Sequence, residues 1–193
     1  MNGLRIERKD AVLVAIDFQD KLMPNMFEKE KITDAAARLI KGCRVLGAPI
    51  MVTQQYTKGI GATVAEIADA LTCKISENIP EASFEHYEKT TFSAMGEPSF
   101  VKALADTGRR TVILAGVEAH VCVQQTALSL IEAGYIVYGA VDCMSSRTQL
   151  NKEFGQLRMT QSGVIITGYE SVLFDMLVDS KDPDFKTISL IVK

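Results

Sequence analysis

The sequence predicts an α/β protein: a single doubly wound, mostly parallel β-sheet flanked by helices on both faces, in three α/β/α layers. Three observations carry that expectation. Apolar runs such as AVLVAI (11–16) and TVILAG (111–116) are consecutive rather than alternating, as in parallel strands covered on both faces. Between such runs lie stretches with apolar residues at helical spacing, closed by Gly47, Gly108 and Gly134. The two kinds of segment alternate along the chain without a linker, repeat or low-complexity tract, so one domain is expected over 1–193.

The first run ends at Asp17. In ITDAAARLIKGCRVLG, residues Ile32, Ala36, Leu39, Ile40 and Cys43 share a helical face that is expected to be core. APIMVTQQY is the next strand. A long connection follows, in which Val64, Ile67, Ala68 and Leu71 make one or two helical turns and SENIP a turn. Ser83 to His86 is expected to be a short strand or an extended stretch, and Lys89 to Ser93 a loop. PSFVKALADTG reads as a helix with Pro98 in its first turn, TVILAG as a strand and CVQQTALSLIEAG as a helix. YIVYGAVDCMS and GVIITG are strands separated by the helical pattern RTQLNKEFGQLRMTQSG. YESVLFDMLVDS is a helix, and so is DPDFKTISLIVK, with Asp182 as its cap and Pro183 at its first position.

Composition excludes several classes. An apolar share of 47% with 23% charged residues belongs to a folded globular chain, neither disordered nor collagen-like. A formal charge of −3 without a basic tail offers the phosphate backbone nothing to grip, so no nucleic-acid partner is expected. The opening apolar run is six residues long, against roughly 20 for a membrane span, so no membrane partner is expected either. Cys43, Cys73, Cys122 and Cys143 form no CxxC, and with His86 and His120 the only histidines the usual zinc spacings are absent. A chain long enough to hold itself by core burial needs no disulfides, which suits a reducing, cytoplasmic location.

In such a sheet ligands bind beyond the carboxyl ends of the strands, near the switch in strand order. That rule selects Asp17, Gln19, the Gln54–Gln55–Tyr56 group, Val117 to Cys122 and Asp142 to Ser146. Cys122 opens an expected helix, whose first amides favour a thiolate. GVEAHVC passes from strand to helix with backbone N–H groups available to an oxyanion. A thiolate needs a base for its proton and a cation beside it. Asp17 ends the first strand, and Lys89 lies in the polar stretch HYEKTTFS, which must return to the same rim. Ordinary structural roles compete: free cysteines are commonly buried and inert, strand-end aspartates cap turns, and loop lysines are solvated. Phe18, Gln19, Gln54, Tyr56, Phe92 and His120 are the candidates for pocket lining, with core packing competing for the aromatics. Ser145 or Ser146 is expected to cap the helix that follows.

Three separated segments resemble the isochorismatase-like cysteine hydrolase superfamily, which includes nicotinamidases and N-carbamoylsarcosine amidase: Asp17 in AIDFQD, Lys89 in EKTTFSAM and Cys122 in AGVEAHVCVQQTA. The similarity runs from about Lys9 to the C-terminus, and VDCMSSR and MTQSGVIIT resemble the isochorismatase domain-containing subgroup. The resemblance implies an Asp–Lys–Cys triad in which Cys122 is the nucleophile, Asp17 its proton acceptor and Lys89 the stabilising cation. It also implies a cis peptide bond between Val117 and Glu118, which would turn the Glu118 N–H beside that of Cys122 to form an oxyanion hole. The implied reaction is cleavage of a C–N bond in a small amide through a thioester. Two alternatives stay open: vinyl-ether hydrolysis with Asp17 as the acid, and a catalytically idle binding protein of the same fold.

Nicotinamidases of this superfamily carry an Asp-x-His and a second His just after the second strand. This chain has TQQYTKGIG there and no histidine before residue 86, so no metal and no other cofactor is expected. The partners implied are a small-molecule substrate and further copies of the chain, as a dimer or a larger even assembly.

Overall fold

The apolar run at 11–16 has two destinations. Strand β1 (Ala11–Ile16) is buried throughout. Ala11, Leu13 and Ala15 enter one hydrophobic core, while Val12, Val14 and Ile16 enter a second on the opposite face. A strand with a core on each face has no position for a polar residue, which is why the run does not alternate. Each large apolar side chain so buried contributes about 1.5–3 kcal/mol.

The computed structural model describes residues 5–193; residues 1–4, the start of the expected 1–193 domain, lie outside the described residues. After β1 come helix α1 (Lys29–Val45), strand β2 (Ile50–Gln55), helices α2 (Thr57–Ile60) and α3 (Ala65–Thr72), strand β3 (His86–Lys89) and helix α4 (Pro98–Asp106). Strand β4 (Thr111–Val117), helix α5 (Gln124–Glu132), strand β5 (Ile136–Ser145), helix α6 (Gln149–Gln161), strand β6 (Ile165–Thr167) and helices α7 (Tyr169–Leu177) and α8 (Phe185–Val192) complete the chain. The strands lie in the order β3-β2-β1-β4-β5-β6, and every pairing is parallel. Helix α1 packs with α3, α7 and α8 over one face. Phe100 and Leu104 of α4, Ala127 and Leu130 of α5 and Met159 of α6 build the core on the other. This is the doubly wound three-layer architecture. Among the described residues no helix is long and apolar enough to cross a membrane.

The chain steps outward in one direction from β1 to β3 and in the other from β4 to β6, so the order switches between β1 and β4. Their carboxyl ends flank the crevice where such sheets bind ligands. Close approach there depends on Gly116, which has φ +140° and pairs with Ile16. A Cβ on Gly116 would stand 2.2 Å from the Ile16 carbonyl oxygen.

Several expectations need correction. The third strand is His86–Lys89 rather than Ser83–His86, because it runs in register with β2 from Val52↔His86 to Gln55↔Lys89. Lys89 is therefore a strand end and not a loop residue. The segment 57–60, expected as irregular connection, forms the short α2. The last helix begins at Phe185; Asp182 instead accepts a 2.8 Å hydrogen bond from the Asp184 N–H within the preceding turn. Neither Ser145 nor Ser146 caps α6. Thr148 does, accepting from the Asn151 N–H at 3.2 Å, while Ser145 donates to the Phe27 carbonyl at 2.6 Å and so ties β5 to the loop before α1. Asp142 caps a different helix, receiving the Tyr169 N–H of α7 at 3.0 and 3.1 Å.

Candidate active site

Asp17 follows β1 with a left-handed φ of 53°, a conformation that Asp tolerates better than bulkier residues. Its carboxylate is fully buried and doubly engaged. Thr53 donates its hydroxyl to Oδ1 at 2.7 Å, and the Lys89 Nζ donates to Oδ2 at 2.6 Å. Lys89 arrives from the end of β3, three strands along in the sheet order from β4, and its side chain is likewise 0% exposed. Its ammonium also donates to Gln55 Oε1 at 2.7 Å, to the Phe92 carbonyl at 3.1 Å and to the Thr91 carbonyl at 3.4 Å. A buried ion pair persists only when its remaining donors and acceptors are satisfied. Among the described residues no buried side-chain nitrogen or oxygen lacks a partner.

Cys122 is 7% exposed and lies on the far side of the switch. It is not the first residue of α5. It sits within a π-helical turn, Ala119–Val123, that runs directly into α5. The Val121 and Val123 amides both donate to the Glu118 carbonyl, at 3.0 and 3.2 Å, which widens the turn. The Val117–Glu118 peptide bond that leads into it is cis. Two contacts brace the turn from outside. The Glu118 carboxylate takes the backbone N–H and the Nε of Arg147 at 3.1 and 3.0 Å, and the backbone of Ala119 and His120 packs on Gly155 of α6.

The Asp17 carboxylate and the Lys89 ammonium both act on the Cys122 thiol. Burial pushes that thiol up to about 12; the Asp17 charge adds to the rise and the Lys89 charge opposes it. The group so placed is a thiol between a carboxylate and an ammonium. Such an arrangement lets the carboxylate take the proton as the sulfur attacks, while the ammonium balances the charge left behind.

The other sequence candidates divide. Phe18 is buried in the core shared by Leu13, Ala15 and Leu39 rather than in a pocket. Gln19 and Gln54 are buried and spoken for rather than presented to a pocket. Gln19 clasps Gln55, accepting its N–H at 2.7 Å and donating to its carbonyl at 3.0 Å, and Gln54 donates to Thr63 at 2.9 Å and accepts from Thr57 at 2.9 Å. Tyr56 and Phe92 are about half exposed at the rim. His120 turns its Nδ1 to the Ser146 hydroxyl at 2.9 Å. Cys43 is core, as expected. Thr53 and Gln55 went unrecognised as contacts of the acid and the lysine. The signal was available in strand alternation: residues 53 and 55 share a face of β2, and 54 and 56 point away from it. Among the described residues no group of three or more His, Cys, Asp or Glu is arranged to hold a metal ion.

A fully parallel doubly wound sheet with an acid, a lysine and a cysteine at its switch point defines a narrow class of α/β protein. The family described as Isochorismatase domain matches residues 11–171, and the chain belongs to that family of isochorismatase-like hydrolases. It is similar to isochorismatase domain-containing protein 2 of Danio rerio, 37% identical over 186 residues that cover 95% of this chain and 87% of that one. Among solved structures it resembles the MAR1 ribonuclease of Caenorhabditis elegans, with a TM-score of 0.86 and 35% identity over 97% of this chain and 92% of the other. It also shares its fold with the Escherichia coli YcaC gene product, described as an octameric hydrolase of unknown specificity (TM-score 0.86, 23% identity, 99% and 90% of the two chains).

Proposed function

We propose that this chain is a cysteine hydrolase that opens the C–N bond of a small amide, with Asp17, Lys89 and Cys122 as its catalytic set. The observation that carries this reading is the convergence of one buried carboxylate and one buried ammonium on one nearly buried thiol. Asp17 accepts the Cys122 proton as the sulfur bonds to the carbonyl carbon. The N–H groups of Glu118 and Cys122 hold the tetrahedral oxyanion. Asp17 then delivers the proton to the leaving nitrogen, the C–N bond breaks and a thioester remains. Water gives a proton to Asp17 and its oxygen attacks the thioester. The C–S bond breaks, the acid leaves, and the proton on Asp17 returns to the sulfur. The low exposure of Cys122 supports a small substrate.

Catalysis without a metal is part of the reading. Lys89 occupies the position beside Asp17 that a cation would need, and the Gln54 side chain is already committed to Thr63 and Thr57. Self-association as a dimer or larger even assembly is also part of it. Leu150, Phe154 and Leu157 form one apolar, outward stripe on α6, 57%, 58% and 53% exposed. The spacing is close to symmetric about Phe154, so two antiparallel copies of the helix would bury the stripe against itself. The E. coli relative is described as an octamer. The four cysteines are unpaired, which supports a reducing, cytoplasmic setting.

An ammonia-release screen over small amides, run with wild type and Cys122→Ala, tests the reading. Turnover is expected only in wild type; undiminished steady-state turnover in Cys122→Ala overturns the covalent route. The family description favours one second reading, vinyl-ether cleavage with Asp17 as the acid. That reading predicts product without ammonia, kept in Cys122→Ala and lost in Asp17→Asn. RNA belongs on the same screen because the nematode relative is named a ribonuclease. No cleavage of RNA is expected from a chain of net charge −3 with a nearly buried nucleophile.

A further inference from the structure

Met51 and Thr53 lie on one face of β2, the face of the core to which β1 contributes Val12, Val14 and Ile16. Thr53 is 1% exposed. Valine has the same shape and would fill this place with no polar group to desolvate, whereas a buried hydroxyl is costly unless it is hydrogen-bonded. A hydroxyl has one proton to give. Thr53 gives its own to Asp17 Oδ1 at 2.7 Å. Among the described residues that hydroxyl has no other hydrogen-bond partner. Asp17 alone therefore accounts for a threonine here. The same residue also holds the main chain of the acid, because its carbonyl accepts the Asp17 N–H at 3.2 Å.

We propose that Thr53 is a positioning residue that holds the plane of the Asp17 carboxylate for proton transfer. It acts through Asp17. The inference rests on the reading of Asp17 as the group that moves the proton, which the amide and the vinyl-ether reactions share. The last torsion of an aspartate is broad, so its own rotamer does not fix the carboxylate plane. Two donors from two strands fix it instead. Thr53, from β2, holds Oδ1, and Lys89, from the end of β3, holds Oδ2 at 2.6 Å. A carboxylate offers about four lone-pair sites, so these two anchors leave others for the travelling proton. With Lys89 as the only anchor, the group is free to pivot about Oδ2 and carry Oδ1 out of line.

Two substitutions separate this role from packing. Thr53→Val keeps the shape and removes the hydroxyl; Thr53→Ser keeps the hydroxyl and removes a buried methyl group. Positioning makes Thr53→Val the damaging change for turnover, and packing makes Thr53→Ser so. With whichever amide or vinyl ether the screen finds to be turned over, Thr53→Val is expected to lower kcat about a hundredfold, the scale on which a displacement of about 1 Å acts, and to leave KM within about twofold. Thr53→Ser is expected to stay within about threefold of wild type in both. Crystal structures of the two variants give a readout that needs no substrate: the Asp17 carboxylate plane is expected to turn by about 30° or more in Thr53→Val and to keep its place in Thr53→Ser. Circular dichroism checks that each variant folds, and Thr53→Ala takes the place of Thr53→Val where that one does not. An unturned carboxylate in Thr53→Val, an unchanged kcat, or a larger loss in Thr53→Ser overturns the proposal. A turned carboxylate in a protein that cleaves neither substrate class leaves the hold of Thr53 on Asp17 standing and removes the hydrolase reading. Amide turnover that depends on Cys122, with an unturned carboxylate in Thr53→Val, does the reverse.

Discussion

The Lys89 ammonium stands 2.6 Å from the Asp17 carboxylate, with neither side chain exposed to solvent. A pair held this deeply is expensive to break from one side, because the survivor is a charge without a partner. Asp17→Asn and Lys89→Met are each expected to lose about 3–5 kcal/mol of stability. The double variant, which removes both charges, is expected to recover part of that loss. Urea unfolding of the four proteins checks it. Strict additivity of the two single losses would show that the charges do not depend on each other. Turnover is expected to fall by at least about a thousandfold in both single variants, as it does when a group acting as one unit with others is removed.

The same geometry sets the response of Cys122 to pH. Its thiol is pushed up to about 12, first by burial and then by Asp17. Removing the Asp17 charge therefore lowers it. Asp17→Asn is expected to alkylate faster than wild type at pH 8 while losing turnover, which separates the acidity of the sulfur from its use in catalysis. Slower alkylation in a folded Asp17→Asn protein would mean that the carboxylate assists the thiolate rather than opposing it.

Alkaline stability follows from a second thiol. Cys43 is wholly buried, and burial raises it to about 12. In the unfolded chain a thiol ionises near pH 8.5. Above that value the folded state binds more protons than the unfolded one, so stability falls as pH rises. The contribution is fully present below the unfolded value and is lost on the way to the folded one, with a slope of about 1.4 kcal/mol per pH unit for each such thiol. Cys143, also held well above its ordinary range by burial and by Asp142, adds in the same direction. Urea midpoints measured from pH 8 to pH 10.5 are expected to decline, and to decline less steeply in Cys43→Ala, whose absolute stability is lower because a buried side chain has been shortened.

Much of this was legible in the sequence, and the parts that were not share a cause. The buried strands β1 and β4 announce themselves because a strand with a core on each face must be apolar throughout. Asp17 and Cys122 then fall beside one crevice by topology alone. Lys89 was harder. Its strand has only four residues, mixed in polarity and partly exposed, and exists because β2 supplies a parallel partner. No local propensity marks it. The π-helical turn around Cys122 was illegible for a similar reason: its shape comes from Glu118 serving two amides and from α6 packing against it.

Gly155 offers a test of how closely that turn must be held. A Cβ at this position of α6 would lie 2.8 Å from the carbonyl carbon and oxygen of Ala119 and from the amide nitrogen of His120. All three are backbone atoms with no side-chain freedom to yield. Gly155→Ala would ordinarily favour a helix by up to about 1 kcal/mol. Here it is expected to displace the nucleophile turn and reduce kcat by about a hundredfold, the scale on which a displacement of about 1 Å acts. Amide turnover and thermal unfolding measured together check it; full activity with raised stability would show that the turn accommodates the methyl group.

The apolar stripe on α6 carries the last prediction. Leu150, Phe154 and Leu157 lie within one sector of the helix, opposite the buried Met159. Nothing in the fold explains three large apolar side chains in a row facing water, and such patches mark association surfaces. Phe154 is the centre of the stripe, so in a two-fold pairing it meets its own copy and any charge placed there meets its like. Phe154→Glu is therefore expected to weaken association by more than about 2 kcal/mol, roughly thirtyfold in the dissociation constant. Light scattering after size-exclusion chromatography should show a smaller assembly than wild type at the same protein concentration. The fold itself is expected to survive, because Phe154 contributes to neither core. A folded Phe154→Glu protein with unchanged mass would remove this face from the assembly and leave the stripe to some other contact.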